Sequence, residues 1–141
     1  MSTPQAPYRI FDAVLARKET LSPHMARLTF GGEQIARMTT RAPDQRIKLF
    51  FPKEDGTPPA IPDRPDWYDI YRKAPPAERF PMRTYTIRHL DAQARELVVD
   101  FVIHGDNGPA SRWAINAVAG DRLQISAPNG RFDGVIGGYD W

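Results

Sequence analysis

The chain has 141 residues, enough for one hydrophobic core but short for two, so we expect a single domain. It contains no cysteine, which excludes a disulfide framework, a cysteine-ligated zinc site and a thiol nucleophile, and fits a reducing cytoplasmic location. The formal net charge of +2 does not predict a nucleic-acid surface. No apolar run approaches the roughly 20 residues of a membrane helix, and the start MSTPQAPYRI lacks the apolar core of a signal peptide. We therefore expect neither nucleic-acid binding nor membrane insertion.

The first part of the chain is typical of two short strands. Residues 8–20 combine alternating polarity with β-branched and aromatic side chains, and residues 24–30 repeat this pattern after the Ser22-Pro23 break. The two segments are predicted to pair as a hairpin that ends at Gly31-Gly32. Residues 33–45 are polar and basic, so we expect a connection that is at most partly helical.

The next predicted strand reads RIKLFFP. Its alternation places Ile47, Leu49 and Phe51 on one side, so the side that faces away from the core could present Lys48.

This strand lies within a local cluster of positive charge. Residues 37–53 contain five cations against Asp44 alone, namely Arg37, Arg41, Arg46, Lys48 and Lys53. Such a cluster can attract an anionic ligand, or it can be a solvated face. Its spacing matches no nucleic-acid motif.

Residues 53–81 are predicted to be an irregular insertion. The segment and its borders hold more than half of the chain's 14 prolines, a density that prevents regular sheet and allows only short helices. The best candidate for a helix is residues 66–73, DWYDIYRK. Long insertions in compact domains are often lids or binding loops. The aromatic residues Trp67, Tyr68 and Tyr71 therefore either cover a ligand or fix the loop to the domain.

The strand that begins RTYTIRHL carries the first candidate ligand-binding residues. Arg83 and Tyr85 are two residues apart, so their side chains share one face about 7 Å apart along the backbone. The fork of Arg83 suits phosphate oxygens, and a planar ring could stack on Tyr85. Alternatively the arginine forms a surface ion pair and the tyrosine belongs to the core. Thr86 lies on the opposite face, so its contact with the same ring would use its backbone amide.

A second strand is predicted over residues 96–104. One of its faces is apolar and is expected to point into the core, which leaves the other face free to line a ligand. That other face carries Asp100, Val102 and His104. An isolated histidine such as His104 can equally be structural.

A helix is predicted to begin at Pro109, because proline favours the first helical position and Gly108 precedes it. Free N–H groups at a helix start favour a phosphate. The positions expected to face a ligand are Gly108, Pro109, Ala110, Ser111 and Arg112, with the Ser111 hydroxyl as an additional donor. The predicted buried stripe of this helix consists of Ala110, Trp113, Ala114, Ala117 and Val118.

A final strand, RLQISA, follows the helix end predicted at Ala119-Gly120-Asp121 and leads into the turn Pro128-Asn129-Gly130-Arg131. The sequence thus predicts about six strands and one clear helix. This order favours an all-β fold, a closed antiparallel barrel with one capping helix at one mouth. An arginine, a tyrosine and a helix start together indicate a site for a flat ring joined to a diphosphate, as in a flavin dinucleotide.

Three segments of the chain resemble a known family. They are Met82-Arg83-Thr84-Tyr85-Thr86-Ile87-Arg88, Asp100-Phe101-Val102-Ile103-His104-Gly105-Asp106 and Gly108-Pro109-Ala110-Ser111-Arg112-Trp113-Ala114, followed by Gly120-Asp121-Arg122-Leu123. In this order and spacing they resemble the flavin half of the siderophore-interacting proteins. These are FAD-containing ferric-siderophore reductases of the ferredoxin-reductase-like superfamily, whose flavin motif is Arg-x-Tyr-Ser/Thr.

The resemblance implies a Greek-key barrel that binds FAD. Its matched positions imply FAD contacts at Arg83, Tyr85, Thr86, Val102, His104 and residues 108–112, with Val102 and His104 along the flavin and its linker. It also implies that residues 1–137 form the FAD-binding domain. Residues 138–141 would then begin a linker to a domain that binds NADPH or NADH, for which this sequence has no Gly-rich signature.

The implied substrate is a ferric siderophore, whose Fe(III) is reduced to Fe(II) so that iron is released, and we expect a monomer. No catalytic side chain is expected, because the cofactor carries the redox chemistry. No metal site is expected either, because the three histidines show no ligand spacing. By itself the chain is expected to bind FAD without oxidising nicotinamides.

Two other function classes fit the same residues. One is a different flavin-dependent reductase of the superfamily, passing electrons to a ferredoxin, oxygen or free flavin. The other is a non-catalytic barrel used as a binding module, in which Arg83 and Tyr85 are structural.

Overall fold

Strand pairing closes the chain into an antiparallel barrel. The computed structural model describes residues 8–40, 44–103 and 108–128. Its strands are β1 (Tyr8–Ser22), β2 (Met25–Gly31), β3 (Arg46–Phe50), β4 (Met82–Asp91), β5 (Glu96–Val102) and β6 (Arg122–Pro128). Around the barrel their order is β1-β2-β5-β4-β3-β6, and β6 pairs back onto β1. The predicted all-β barrel is confirmed, and the order β2-β5-β4-β3 is a Greek key.

Two short α-helices within the described ranges lie outside the sheet. They are α1 (Trp67–Lys73), within the insertion, and α2 (Pro109–Asn116), between β5 and β6. The first agrees with the helix predicted over residues 66–73. The connection after β2 contains a 3-10 turn, Glu33–Arg37, as expected for a partly helical segment. None of the helices in the described ranges has the length and apolar character that crossing a bilayer requires.

The barrel interior is filled by alternate residues of all six strands. Its most deeply buried members, each 0% exposed, include Leu28, Phe30, Leu49, Leu97, Val99, Phe101 and Ile125. Helix α2 packs against this core through Ala110, Ala114 and Trp113. The Trp113 ring lies 6.2 Å from Phe30 and 5.6 Å from Phe51, between ring centroids. Burying one such side chain stabilises the fold by about 1.5–3 kcal/mol, so the predicted assignment of Trp113 to the core agrees with the structure.

Helix α2 ends at Asn116, earlier than predicted. The Lys18 ammonium donates to the carbonyl oxygens of Ala114 and Ile115, at 3.0 Å each. A cation at this position donates to the last carbonyl oxygens of the helix, and its charge interacts favourably with the negative end of the helix dipole. Because the helix stops there, Val118 lies outside it and is 63% exposed. The prediction that Val118 belongs to the buried stripe is therefore wrong.

Aromatic packing fixes the insertion to the outside of the barrel. Trp67 and Tyr71 of α1 contact the ring of Phe50 on β3 in edge-on geometry, with centroids 5.5 and 5.6 Å apart. The Tyr71 hydroxyl donates to the carbonyl oxygen of Phe80 at 2.6 Å. Trp67 is only 6% exposed. For these two residues the structure favours the loop-fixing alternative, whereas Tyr68 is 48% exposed.

Polar contacts fix the same insertion at a second point. The Asp63 carboxylate accepts two hydrogen bonds from Arg9, both 2.9 Å, and one from the amide of Ile10 at 3.0 Å. The side-chain oxygen of Gln124 accepts from the amide of Ile61 at 2.6 Å. Such bonds hold irregular backbone against the sheet where no strand pairing is available.

We expect Trp67→Ala to loosen the insertion. Truncating a buried tryptophan removes its contact with Phe50 and costs about 3–5 kcal/mol. Urea unfolding should show this loss, and trypsin should cut faster at Arg72 and Lys73. Tyr68→Ala, on the exposed side of the same helix, is the matched control and should cost at most about 1.5 kcal/mol, because it removes only an edge-on contact with Trp67. Equal effects of the two substitutions would contradict the packing described here.

Candidate functional site

Strands β4 and β5 and the start of α2 border a cavity of about 920 Å³, the first cavity. It lies within the range of roughly 300–1,000 Å³ typical of ligand pockets. Its walls are formed by Asp44, Arg46, Arg83, Thr84, Tyr85, Thr86, Ile87, Arg88, Asp100, Val102, Gly108, Ala110 and Ser111.

Most of the predicted ligand contacts meet in the first cavity. Those in its wall are Arg83, Tyr85, Thr86, Val102, Gly108, Ala110 and Ser111. Pro109 and Arg112 are not in the wall. The exposed Arg112 guanidinium lies 3.2 Å from the Glu54 carboxylate in the insertion. His104 lies outside the described residues.

Tyr85 joins the barrel core to the cavity. It pairs across the strands with Ile47, and its ring stacks on the buried ring of Phe101 with centroids 4.2 Å apart and planes 21° apart. Burial raises the pKa of the Tyr85 hydroxyl to about 12, although the nearby Arg83 acts to lower it. The side chain is therefore a neutral aromatic surface held from behind by the core.

Arg83 is an exposed cation at the edge of the cavity. Its guanidinium donates to the carbonyl oxygen of Met82 at 2.8 Å. In the described part of the chain it forms no ion pair with a carboxylate, which disfavours the surface ion-pair alternative. The remaining donors of its fork are available to an anion.

The charge balance of the cavity favours an anion. Three arginines, Arg46, Arg83 and Arg88, line it against two aspartates. One of these, Asp100, already accepts two hydrogen bonds from Arg27, at 2.8 and 3.0 Å. The Asp100 carboxylate therefore contributes little uncompensated negative charge to the cavity.

The start of α2 contributes Gly108, Ala110 and Ser111 to the cavity wall. Gly108 is the N-cap with φ 89°, in a region that favours glycine, and it provides no side-chain cap. Pro109 has no N–H, and the Arg112 amide donates to the Gly108 carbonyl at 3.1 Å. The amides of Ala110 and Ser111 thus precede the first intrahelical bond, where a helix favours negative charge. The Ser111 side chain is buried.

Sequence reasoning missed Thr84, Arg88 and Asp44 as wall residues. It treated Arg46 only as part of a charge cluster. The register between β3 and β4 places Arg46 opposite Thr86, which brings it to the same cavity. A correct prediction of which strands are neighbours would have found it, but single-strand patterns do not contain that information.

Comparison with protein families gives one match that covers most of the chain. The model described as the siderophore-interacting FAD-binding domain matches residues 14–132.

Several curated proteins are similar in sequence. An uncharacterized protein of Mycobacterium tuberculosis is 38% identical over 89% of this chain and 44% of its own length. The ferric vibriobactin reductase ViuB of Vibrio cholerae is 33% identical over 94% of this chain and 46% of its own length. The NADPH-dependent ferric-chelate reductase of Escherichia coli is 34% identical over 92% of this chain and 51% of its own length. The chain spans about half the length of these relatives.

A solved structure gives the same result for the fold. The siderophore utilization protein from T. fusca superposes with a TM-score of 0.71 and 32% sequence identity, covering 92% of this chain and 48% of that one.

We expect the burial of Tyr85 to make stability fall in strong base. The unfolded tyrosine loses its proton near its usual pKa of about 10, whereas the folded one holds it until about pH 12. Between these values the unfolded state binds fewer protons, so the free energy of unfolding decreases as pH rises. Tyr85→Phe should flatten this decrease, measured as urea midpoints across the range. Tyr68→Phe controls for loss of a tyrosyl hydroxyl, and an unchanged slope in Tyr85→Phe would contradict the assignment.

Proposed function

The chain belongs to the family of siderophore-interacting FAD-binding domains, and we propose that it is the flavin-binding part of an NADPH- or NADH-dependent ferric-siderophore reductase. The observation that carries this proposal is the meeting of Arg83, Tyr85 and the start of α2 in the first cavity. These groups suit the two chemically different ends of one ligand, a flat ring and a diphosphate.

The diphosphate end fits the positive side of the cavity. Arg83 has no carboxylate partner in the described ranges, and the amide of Ala110 lies at the start of α2. An arginine fork and a helix N-terminus are both well suited to phosphate oxygens. We assign the diphosphate to Arg83 and residues 108–112, with Arg112 reaching it only if it leaves Glu54.

The ring end fits the wall formed by β4 and β5. Tyr85 is backed by Phe101 at 4.2 Å, so stacking a ligand on its other face requires no rearrangement of the core. Val102 is 48% exposed and adds an apolar surface to the same wall. We assign the isoalloxazine to Tyr85, Thr86 and Val102, and the linker to Val102 and His104.

The chemistry that FAD would provide when bound is to accept a hydride from the nicotinamide and to pass single electrons to Fe(III). The protein's residues bind and orient the cofactor. A tyrosine is already protonated at physiological pH, and burial raises the pKa of Tyr85 further, to about 12, so it presents no negative charge to the ring. Iron is released because siderophores hold Fe(II) more weakly than Fe(III).

We assign the nicotinamide to a part of the intact protein outside residues 1–137, with residues 138–141 leading towards it. Two observations support this. The chain spans about half the length of the relatives it matches, and one of these is named an NADPH-dependent ferric-chelate reductase. The proposed use of NADPH or NADH and the absence of cysteine from this sequence both fit a cytoplasmic site of action.

We expect Arg83→Gln to weaken FAD binding by roughly 10- to 100-fold, because one charge-assisted hydrogen bond contributes about 1.5–3 kcal/mol. Titrating the purified chain with FAD, followed by flavin fluorescence, measures the change. Arg95→Gln is the matched control, since Arg95 is exposed and lies in the turn between β4 and β5, away from the cavity wall. If Arg83→Gln binds FAD as tightly as the parent chain does, Arg83 does not bind the diphosphate.

Tyr85→Leu tests the ring assignment separately. It keeps an apolar side chain against Phe101 and removes the stacking surface, so we expect about tenfold weaker FAD binding. Chemical denaturation of the same variant distinguishes lost stacking from lost folding. A folded variant with parental affinity would show that Tyr85 does not stack on the ring. A parent chain without flavin bands in its visible spectrum, even after FAD is added, would instead favour a non-catalytic barrel.

The assignment of the nicotinamide to another part of the intact protein can be tested separately. With FAD and NADPH, this chain is expected to oxidise no more NADPH than free FAD does, whereas the intact protein oxidises it and reduces a ferric siderophore. Nicotinamide absorbance and an Fe(II)-specific chelator measure the two steps. If the intact protein reduces a ferredoxin but no ferric siderophore, the proposed substrate class is wrong while the flavin site stands.

A further inference from the structure

An extra residue in β1 turns Lys18 towards the mouth of the barrel that α2 covers. Leu15 pairs with Phe30 and Lys18 pairs with Leu28, so three steps along β1 lie opposite two steps along β2. Side chains three residues apart on a regular strand point to opposite faces. The extra residue, a β-bulge, places Lys18 on the same face as the buried Leu15. Bulges of this kind re-aim side chains next to functional sites.

Strand β1 holds the C-terminal end of α2. The Lys18 ammonium donates to the carbonyl oxygens of Ala114 and Ile115, at 3.0 Å each. Three residues earlier on the same strand, the amide of Leu15 donates to the carbonyl oxygen of Asp121 at 2.7 Å. The last turn of α2 and the turn that follows it are therefore both fixed to one strand.

The sequence of α2 does not provide the charges that would suit its own ends. The helix has no acidic residue in its first turn and no basic residue in its last turn, and Gly108 provides no side-chain cap. At the C-terminal end Lys18 supplies the missing cation from β1. The N-terminal end lies instead at the first cavity, through Gly108 and Ala110. The helix is thus compensated at one end by the protein, and its other end favours an anion.

The packing of α2 makes this support at its end important. Apart from Trp113, the residues that seat it on the core are alanines, namely Ala110 and Ala114 in the helix and Ala117 at its end. Short side chains make few dispersion contacts, so they restrain the position and tilt of a helix weakly. The eight residues of α2 rise only about 12 Å. A displacement of the last turn is therefore carried to the Ala110 amide at the first cavity.

We propose that Lys18 is a positioning residue for the cofactor. By holding the C-terminal end of α2, it keeps Gly108 and the Ala110 amide where the diphosphate of FAD lies. Lys18 is not part of the cavity wall, so it acts through the helix and not by touching the ligand. This role rests on the proposed function, because that function places the diphosphate at the start of α2.

Replacing Lys18 tests this role. Lys18→Met removes the charge and the donors but keeps an unbranched side chain, and we expect FAD to bind about three- to tenfold more weakly. Lys18→Arg keeps a cation and its donors, so it should restore most of the affinity. Titration with FAD, followed by flavin fluorescence, measures both. Urea unfolding confirms that each variant is folded, and lower stability alone does not change the affinity of molecules that remain folded.

Arg17→Met is the matched control. Arg17 is the neighbouring cation on β1, but it forms an ion pair with Glu96 on β5 at 3.2 Å and not with the end of the helix. This substitution should leave FAD binding unchanged, which separates the position of the charge from a general loss of positive charge.

Amide NMR spectra recorded without ligand provide a second measurement. Lys18→Met should shift signals at both ends of α2, including that of Ala110. Arg17→Met should leave the Ala110 signal in place. Shifts in Lys18→Met that are confined to the last turn of α2 would contradict the proposal, because the start of the helix would then not depend on Lys18.

Two binding results would also overturn the role of Lys18. They are parental FAD affinity in a folded Lys18→Met and equal losses of affinity in Lys18→Met and Lys18→Arg. If Lys18→Met does not fold, Lys18→Gln removes the charge with a smaller change in polarity and gives the same comparison.

Arg83→Gln, measured beside these variants, distinguishes this proposal from the proposed function. Weaker FAD binding by Arg83→Gln together with parental binding by Lys18→Met would reject only the positioning role. Parental binding by Arg83→Gln would instead reject the diphosphate assignment on which that role rests. A parent chain that binds no FAD would reject both.

Discussion

The register of β3 between β4 and β6 determines which of its side chains reach the first cavity. This strand has only five residues, Arg46–Phe50, yet it joins two neighbours and closes the barrel. Its inward residues Ile47 and Leu49 are completely buried. A shift of one residue would turn them outward and bring Lys48 into the core. The cost of burying that charge keeps the register in place, and the register in turn brings Arg46 to the first cavity.

The local features of this fold could be predicted from sequence because they depend on neighbouring residues. Alternation identified the strands, proline after glycine identified the start of α2, and two-residue spacing placed Arg83 and Tyr85 on one face. The end of α2 could not be predicted in this way, because Lys18, almost a hundred residues earlier in the chain, bonds its last carbonyls. The same limit applied to Arg88, whose position in the cavity follows from strand order.

The insertion illustrates a different limit. Its proline content correctly excludes regular sheet, but composition cannot tell whether aromatic residues cover a ligand or fix a loop. The answer came from Phe50, an outward-facing residue of β3 that would be exposed without Trp67 and Tyr71. Hydrogen bonds accepted by Gln124 and Asp63 then hold the rest of the segment. The signal in the sequence was an apolar residue, Phe50, on the outer face of a strand. Interpreting this signal required knowing that the insertion lies against that strand.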